Sequence, residues 1–125
     1  MKIQLSIQRL VLAGLVQFGV VSVAQAHGAL AIDGNQKSRY GWAVNFPSAQ
    51  AARTHALRQC GRNCSVVLTF SRGCGAYAAD QSRGASYYGW AQTRDGSSAR
   101  RRAVRECQSR GGQSCIVRVW GCNRY

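Results

Sequence analysis

The chain predicts an α+β fold made of two tandem β-β-α-β repeats, an antiparallel-leaning sheet with two helices on one face, stapled by disulfides. Three observations point there. Tyr-Gly-Trp-Ala occurs at Tyr40–Ala43 and again at Tyr88–Ala91, inside a longer pattern that recurs 47 to 48 residues later. Two alanine stripes at helical spacing, Ala52/Ala56/Cys60 and Ala99/Ala103/Cys107, are offset by 47 residues. Six cysteines fall three to a copy: Cys60, Cys64 and Cys74, then Cys107, Cys115 and Cys122.

Residues 1–26 read as a signal peptide. Lys2 and Arg9 form a basic start, Leu10–Val23 is an apolar run, and Ala24-Gln25-Ala26 has the small-x-small form of a secretory cleavage site. That run falls short of the roughly 20 residues a spanning helix needs. No other stretch is apolar enough to cross a membrane, so export to the periplasm or beyond the cell is expected. Residues 27–125 are then one domain, with repeats at 28–74 and 75–122. A domain of this size buries only about 60–65% of its unfolded surface, so disulfides have a thin core to supplement.

Each copy opens with a short strand of small residues, Ala29–Asp33 and Ala76–Asp80. A strand carrying the aromatic motif follows, Arg39–Phe46 and Ser86–Thr93. Ser48 is the expected cap of the first helix, and Asp95, Ser97 or Ser98 of the second; Gly61 and Gly111-Gly112 are the expected stops. Alanine on the buried stripe lets each helix approach a sheet closely, with Leu57 and Val104 widening the stripe. The closing strands, Ser65–Phe70 and Ile116–Trp120, are rich in β-branched residues, and the first copy shows an insertion around Ser71-Arg72-Gly73. Trp42 and Trp90, at matched positions, read as core or inter-repeat packing, and Trp120 and Tyr125 as exposed aromatics.

Six cysteines allow 15 pairings, and repeat symmetry leaves two schemes in view. In one, Cys60–Cys64 and Cys107–Cys115 clip each helix to its closing strand, and Cys74 pairs with Cys122 across the pseudo-symmetric axis. In the other, each helix cysteine reaches a far-end cysteine. Metal binding is not expected. Cys-x3-Cys in one copy becomes Cys-x7-Cys in the other, unlike the short knuckles of zinc sites. No cofactor is implied.

No catalytic residue emerges. His55, the internal histidine, has Arg102 at its counterpart, and Glu106 has Gln59, so an acid–base pair for a small secreted hydrolase such as a nuclease is not a repeated feature. Charge is the stronger signal. With Lys2 and Arg9 set aside, fifteen basic side chains, fourteen of them arginine, face Asp33, Asp80, Asp95 and Glu106, a net of +11. Such a field attracts an anionic polymer, an anionic surface or an acidic protein. Arg94, Arg100, Arg101, Arg102 and Arg105, close in sequence at the second helix, are the candidate anion-binding residues, since guanidinium suits bidentate recognition of phosphate or carboxylate. The chain thus reads as a non-enzymatic binding domain. The alternative is an interaction or inhibitor protein presenting the loops Ser71–Gly75 and Asp80–Ser86 to another exported or host protein.

GALAID at 28–33, the doubled YGWA, the alanine–arginine helix ending in cysteine, CSVVLTFSRGCGAYA at 64–78 and CIVRVWGC at 115–122 together resemble the domain of unknown function 4189 family. The resemblance implies a small, exported, cysteine-containing and mostly bacterial domain. It implies no activity and transfers no catalytic residue.

Overall fold

A computed structural model describes residues 25–35 and 39–124. The proposed signal segment, apart from its last two residues, lies outside them, as do Lys37 and Tyr125. The first repeat comprises strands β1 (His27–Asp33) and β2 (Tyr40–Phe46), helix α1 (Ala49–Cys60) and strand β3 (Cys64–Phe70). The second comprises β4 (Cys74–Asp80), β5 (Tyr88–Thr93), α2 (Gly96–Ser109) and β6 (Cys115–Cys122). The expected β-β-α-β order holds in both copies.

Each repeat builds its own antiparallel three-stranded sheet, ordered β2-β1-β3 and β5-β4-β6. The expectation of an α+β fold with antiparallel strands stands, but its single sheet resolves into two. Side-chain alternation explains why. Along β1, Ala29 and Ala31 pack on Ala52, Ala56 and Cys60 of α1. Along β4, Ala76 and Ala78 pack on Ala99, Ala103 and Cys107 of α2. The opposite faces carry Leu30 and Ile32 on β1, Tyr77 and Ala79 on β4, with Tyr40, Trp42, Val67, Leu68, Tyr88, Trp90 and Val119 around them. One six-stranded sheet with both helices on one side would leave that large apolar face in water. Stacking the two sheets buries it, giving four layers in the order helix, sheet, sheet, helix.

Small residues set the layer spacing. Gly41 and Gly89, the glycines of the two YGWA motifs, lie so close to the helices that a Cβ at either would strike backbone atoms, of Ala56 and Cys60 in one repeat and of Ala103 and Cys107 in the other. Trp42 and Trp90 are half-buried in the inter-sheet layer, Trp42 against Phe70 (5.8 Å between ring centroids) and Trp90 stacked on Tyr88 (5.9 Å). The repeats also share a bulge: the closing strand slips by one residue opposite Leu30/Ala31 in one sheet and opposite Tyr77/Ala78 in the other.

The caps largely follow the sequence. Ser48 Oγ accepts from the Ala51 amide (3.1 Å), and Asp95 is the second cap, accepting from the Ser98 amide (2.7 Å). Gly61, at φ 99°, ends α1, whereas α2 ends on Arg110 with Gly111 taking the positive φ of 116° one residue later.

The disulfides are Cys60–Cys64, Cys107–Cys115 and Cys74–Cys122. All three are the pairs of the first scheme. Cys74 and Cys122, however, are register partners on the neighbouring strands β4 and β6, so their bridge lies within the second sheet rather than across the axis. The Ser71–Gly73 segment is likewise not an insertion in a closing strand but the link from β3 to β4. It is braced from the second repeat. Asn123 donates from its amide to Gly73 O (3.0 Å) and from its side chain to Phe70 O (3.1 Å), while its Oδ1 accepts from the Asn45 amide (2.8 Å). Three disulfides in so small a domain suggest an oxidising, exported location. Among the described residues no helix is long and apolar enough to cross a membrane.

Candidate anion-binding groove

The burial of Ala99, Ala103 and Cys107 against the sheet fixes where every other side chain of α2 points. Ser97, Arg100, Arg101, Val104 and Arg105 recur at three- and four-residue spacing along one flank, facing the edge strand β6. With Val117 of β6 they line an open groove of about 510 Å³. Val104 and Val117 supply its aliphatic floor and the three arginines its rim.

Arg100 and Arg101 are arranged by neutral partners. Arg100 donates from Nε to Gly96 O (3.1 Å), and its guanidinium lies 4.3 Å from the ring centroid of Trp120. Trp120 is 44% exposed, and its ring packs so tightly on Gly96 that a Cβ there would overlap it. Arg101 donates to Ser97 Oγ (2.7 Å) and Ser98 Oγ (3.3 Å). The Ser98 hydroxyl in turn donates to Asp95 Oδ2 (3.0 Å). The Ser98 amide and hydroxyl hold the Asp95 carboxyl below its ordinary range, with a smaller contribution from Arg101. Among the described residues the arginine that forms an ion pair is Arg39, with Asp33 (3.4 Å), far from this flank in the first repeat. No carboxylate lines the groove itself.

Of the five arginines singled out from sequence, the fold brings Arg100, Arg101 and Arg105 together. Arg94 precedes the helix in the β5–α2 turn and Arg102 points away from the groove; both are exposed. Sequence reading missed the floor. Val104, expected to widen the buried stripe, is half-buried and serves both core and groove. Arg110, which joins this arginine run in sequence, is the C-cap of α2 and packs away from the groove. That guanidinium lies 4.8 Å from the Trp90 centroid and 5.7 Å from that of Tyr88, and donates to Tyr88 O (3.2 Å). The pairing of Trp120 with Arg100 crosses from strand to helix, and no spacing along the chain encodes it.

Asp33 and Asp80 are committed to structure. Asp33 Oδ1 accepts from the Asn35 amide (3.0 Å). Asp80 Oδ1 accepts from the Ser82 amide (2.8 Å) and Oδ2 from the Gln113 amide (3.0 Å). These bonds, those from Ser82 first, pull the Asp80 carboxyl down to about 2. Burial between the sheets pushes the Tyr77 phenol up, so it stays protonated. His55 and Glu106 stand on the two outer helices with both sheets between them, so the fold does not assemble the acid–base pair. The loop residues of the interaction alternative divide too: Asp80 and Gly75 are buried strand residues, and Gln81, Arg83 and Gly84 are exposed.

The model of the domain of unknown function DUF4189 matches residues 27–122, spanning both repeats. The chain belongs to the DUF4189 family. Searches of curated proteins and of solved structures returned no match. In this DUF4189 domain the matched region takes in all six cysteines and the whole groove, from Ser97 through Val117.

Proposed function

We propose that this DUF4189 domain is a non-enzymatic binding module, exported to the periplasm or beyond the cell, that engages an anionic partner through the groove between α2 and β6. The observation that carries the reading is the convergence of Arg100, Arg101 and Arg105 on one flank, with Arg100 and Arg101 oriented by Gly96 O, Trp120, Ser97 and Ser98 rather than by carboxylates. A guanidinium already fixed in place loses less side-chain freedom when an anion docks. Stapled layers keep the presenting helix rigid, which serves the same end.

Three arginines acting on an anionic polymer give binding that weakens steeply as salt rises. Fluorescence anisotropy of a labelled polyphosphate chain, titrated with disulfide-intact protein at low and at high salt, tests this. The expected result is a dissociation constant that rises more than tenfold between the two. An isotherm unchanged by salt contradicts the proposal.

A further inference from the structure

The groove is not uniformly polar, and its apolar part calls for explanation. At about 510 Å³ it is the size of a small-molecule site. Its floor, Val104 and Val117, is hydrocarbon, and the Trp120 indole stands beside it beneath Arg100. An inorganic anion or a bare polyanion would meet the rim and leave that floor wet. A neutral hydrocarbon would cover the floor and leave the three guanidinium groups of the rim without an anion. The first repeat carries an internal control. By the 47-residue offset, Thr54 stands where Arg101 is and Leu57 where Val104 is. By strand register, Thr69 opposite Ala29 stands where Trp120 is opposite Ala76. The shared fold therefore does not require the arginine–indole pair of the second repeat.

We propose that the ligand is a single-chain anionic amphiphile, with a phosphate or carboxylate head held by Arg101 and Arg105 and its alkyl chain lying over Val104 and Val117. This rests on the anion-binding reading above and names the ligand class. Guanidinium forks give the head two donors each, and the chain gains by leaving water.

Isothermal titration of the disulfide-intact protein tests the inference, with decyl phosphate kept below its micelle threshold. Inorganic phosphate, decyl maltoside, polyphosphate and phosphatidylglycerol vesicles are the parallel probes. The expected result is one decyl phosphate per chain, bound at least about tenfold more tightly than inorganic phosphate or decyl maltoside. Arg101→Gln with Arg105→Gln should weaken it about tenfold and Val117→Thr about threefold, with melting temperatures confirming that both variants fold. Equal affinity for inorganic and decyl phosphate overturns the amphiphile, as does equal affinity for decyl maltoside. Polyphosphate bound without decyl phosphate also overturns it while leaving the anion reading intact. If no anion binds, both readings fall. Capture by vesicles with no binding of the monomeric amphiphile overturns it in favour of a membrane-surface contact.

Discussion

The two repeats solve one structural problem with different residues. Each first strand ends in an aspartate that must be tied to the loop between helix and closing strand. In the first repeat that loop is short, 61–63, and a side chain bridges it: Arg39 reaches Asp33 Oδ2, Cys60 O and Arg62 O. In the second the loop runs over 110–114, and its own backbone comes back to the aspartate, Gln113 N donating to Asp80 Oδ2. Tyr87 stands at the place of Arg39 and packs near Gly111 instead. The scaffold is therefore held in common while the groups that hold it are free to change. The outer flanks show the same freedom: Gln50, Arg53, Thr54, Leu57 and Arg58 on α1 stand where Ser97, Arg100, Arg101, Val104 and Arg105 stand on α2.

Disulfide removal breaks the comparison most strongly. Cys74–Cys122 closes a separation of 48 residues, against 4 for Cys60–Cys64 and 8 for Cys107–Cys115. Loop-closure entropy then gives about 4 kcal/mol for the long bridge and about 2 kcal/mol for either clip. Denaturant unfolding of Cys74→Ser/Cys122→Ser beside Cys60→Ser/Cys64→Ser checks the difference. Next comes a test of what the repeats share. Gly41→Ala and Gly89→Ala each force a methyl into helix backbone, and each should cost about 3 kcal/mol in the same assay. A large cost in one repeat and none in the other would break the equivalence of the two helix–sheet contacts.

Smaller effects sharpen the picture. Ser48→Ala and Asp95→Ala each remove an N-cap and should cost about 1 kcal/mol, seen as lowered denaturation midpoints. Asp80 gives a pH signature. Its carboxyl is at about 2 in the fold against 3.8 as the ordinary value, so the unfolded chain binds the proton first. The stability it contributes is complete above about pH 4 and is lost as pH falls towards about 2. Acid titration of melting temperature should show that loss, and Asp80→Asn should remove this part of it.

Period and repetition made much of this legible. The alanine stripes located both helices, and the doubled YGWA motif with the small-residue and β-branched runs around it located the six strands, because local spacing encodes which face a residue occupies. The two clips were likewise within reach, since each joins a helix end to the next strand. What was not legible depends on contacts between elements far apart in sequence. Pairing Leu30 and Ile32 with Tyr77 and Ala79 requires knowing that two sheets stack, and placing the Cys74–Cys122 bridge inside one sheet rather than between the repeats requires the β4–β6 register. The candidate arginines were recognisable as a group from charge. Dividing them into a groove set and two outliers needed the helix to be docked on its sheet.

If the proposal holds, the second repeat's outer flank binds anions and the first repeat's does not, although both carry arginine. Labelled polyphosphate titrated against Arg100→Gln/Arg101→Gln/Arg105→Gln and against Arg53→Gln/Arg58→Gln at one fixed salt concentration tests it most directly. At least a tenfold loss of affinity is expected in the first variant and less than a twofold change in the second. Losses that scale only with the number of charges removed, on whichever helix, would contradict it.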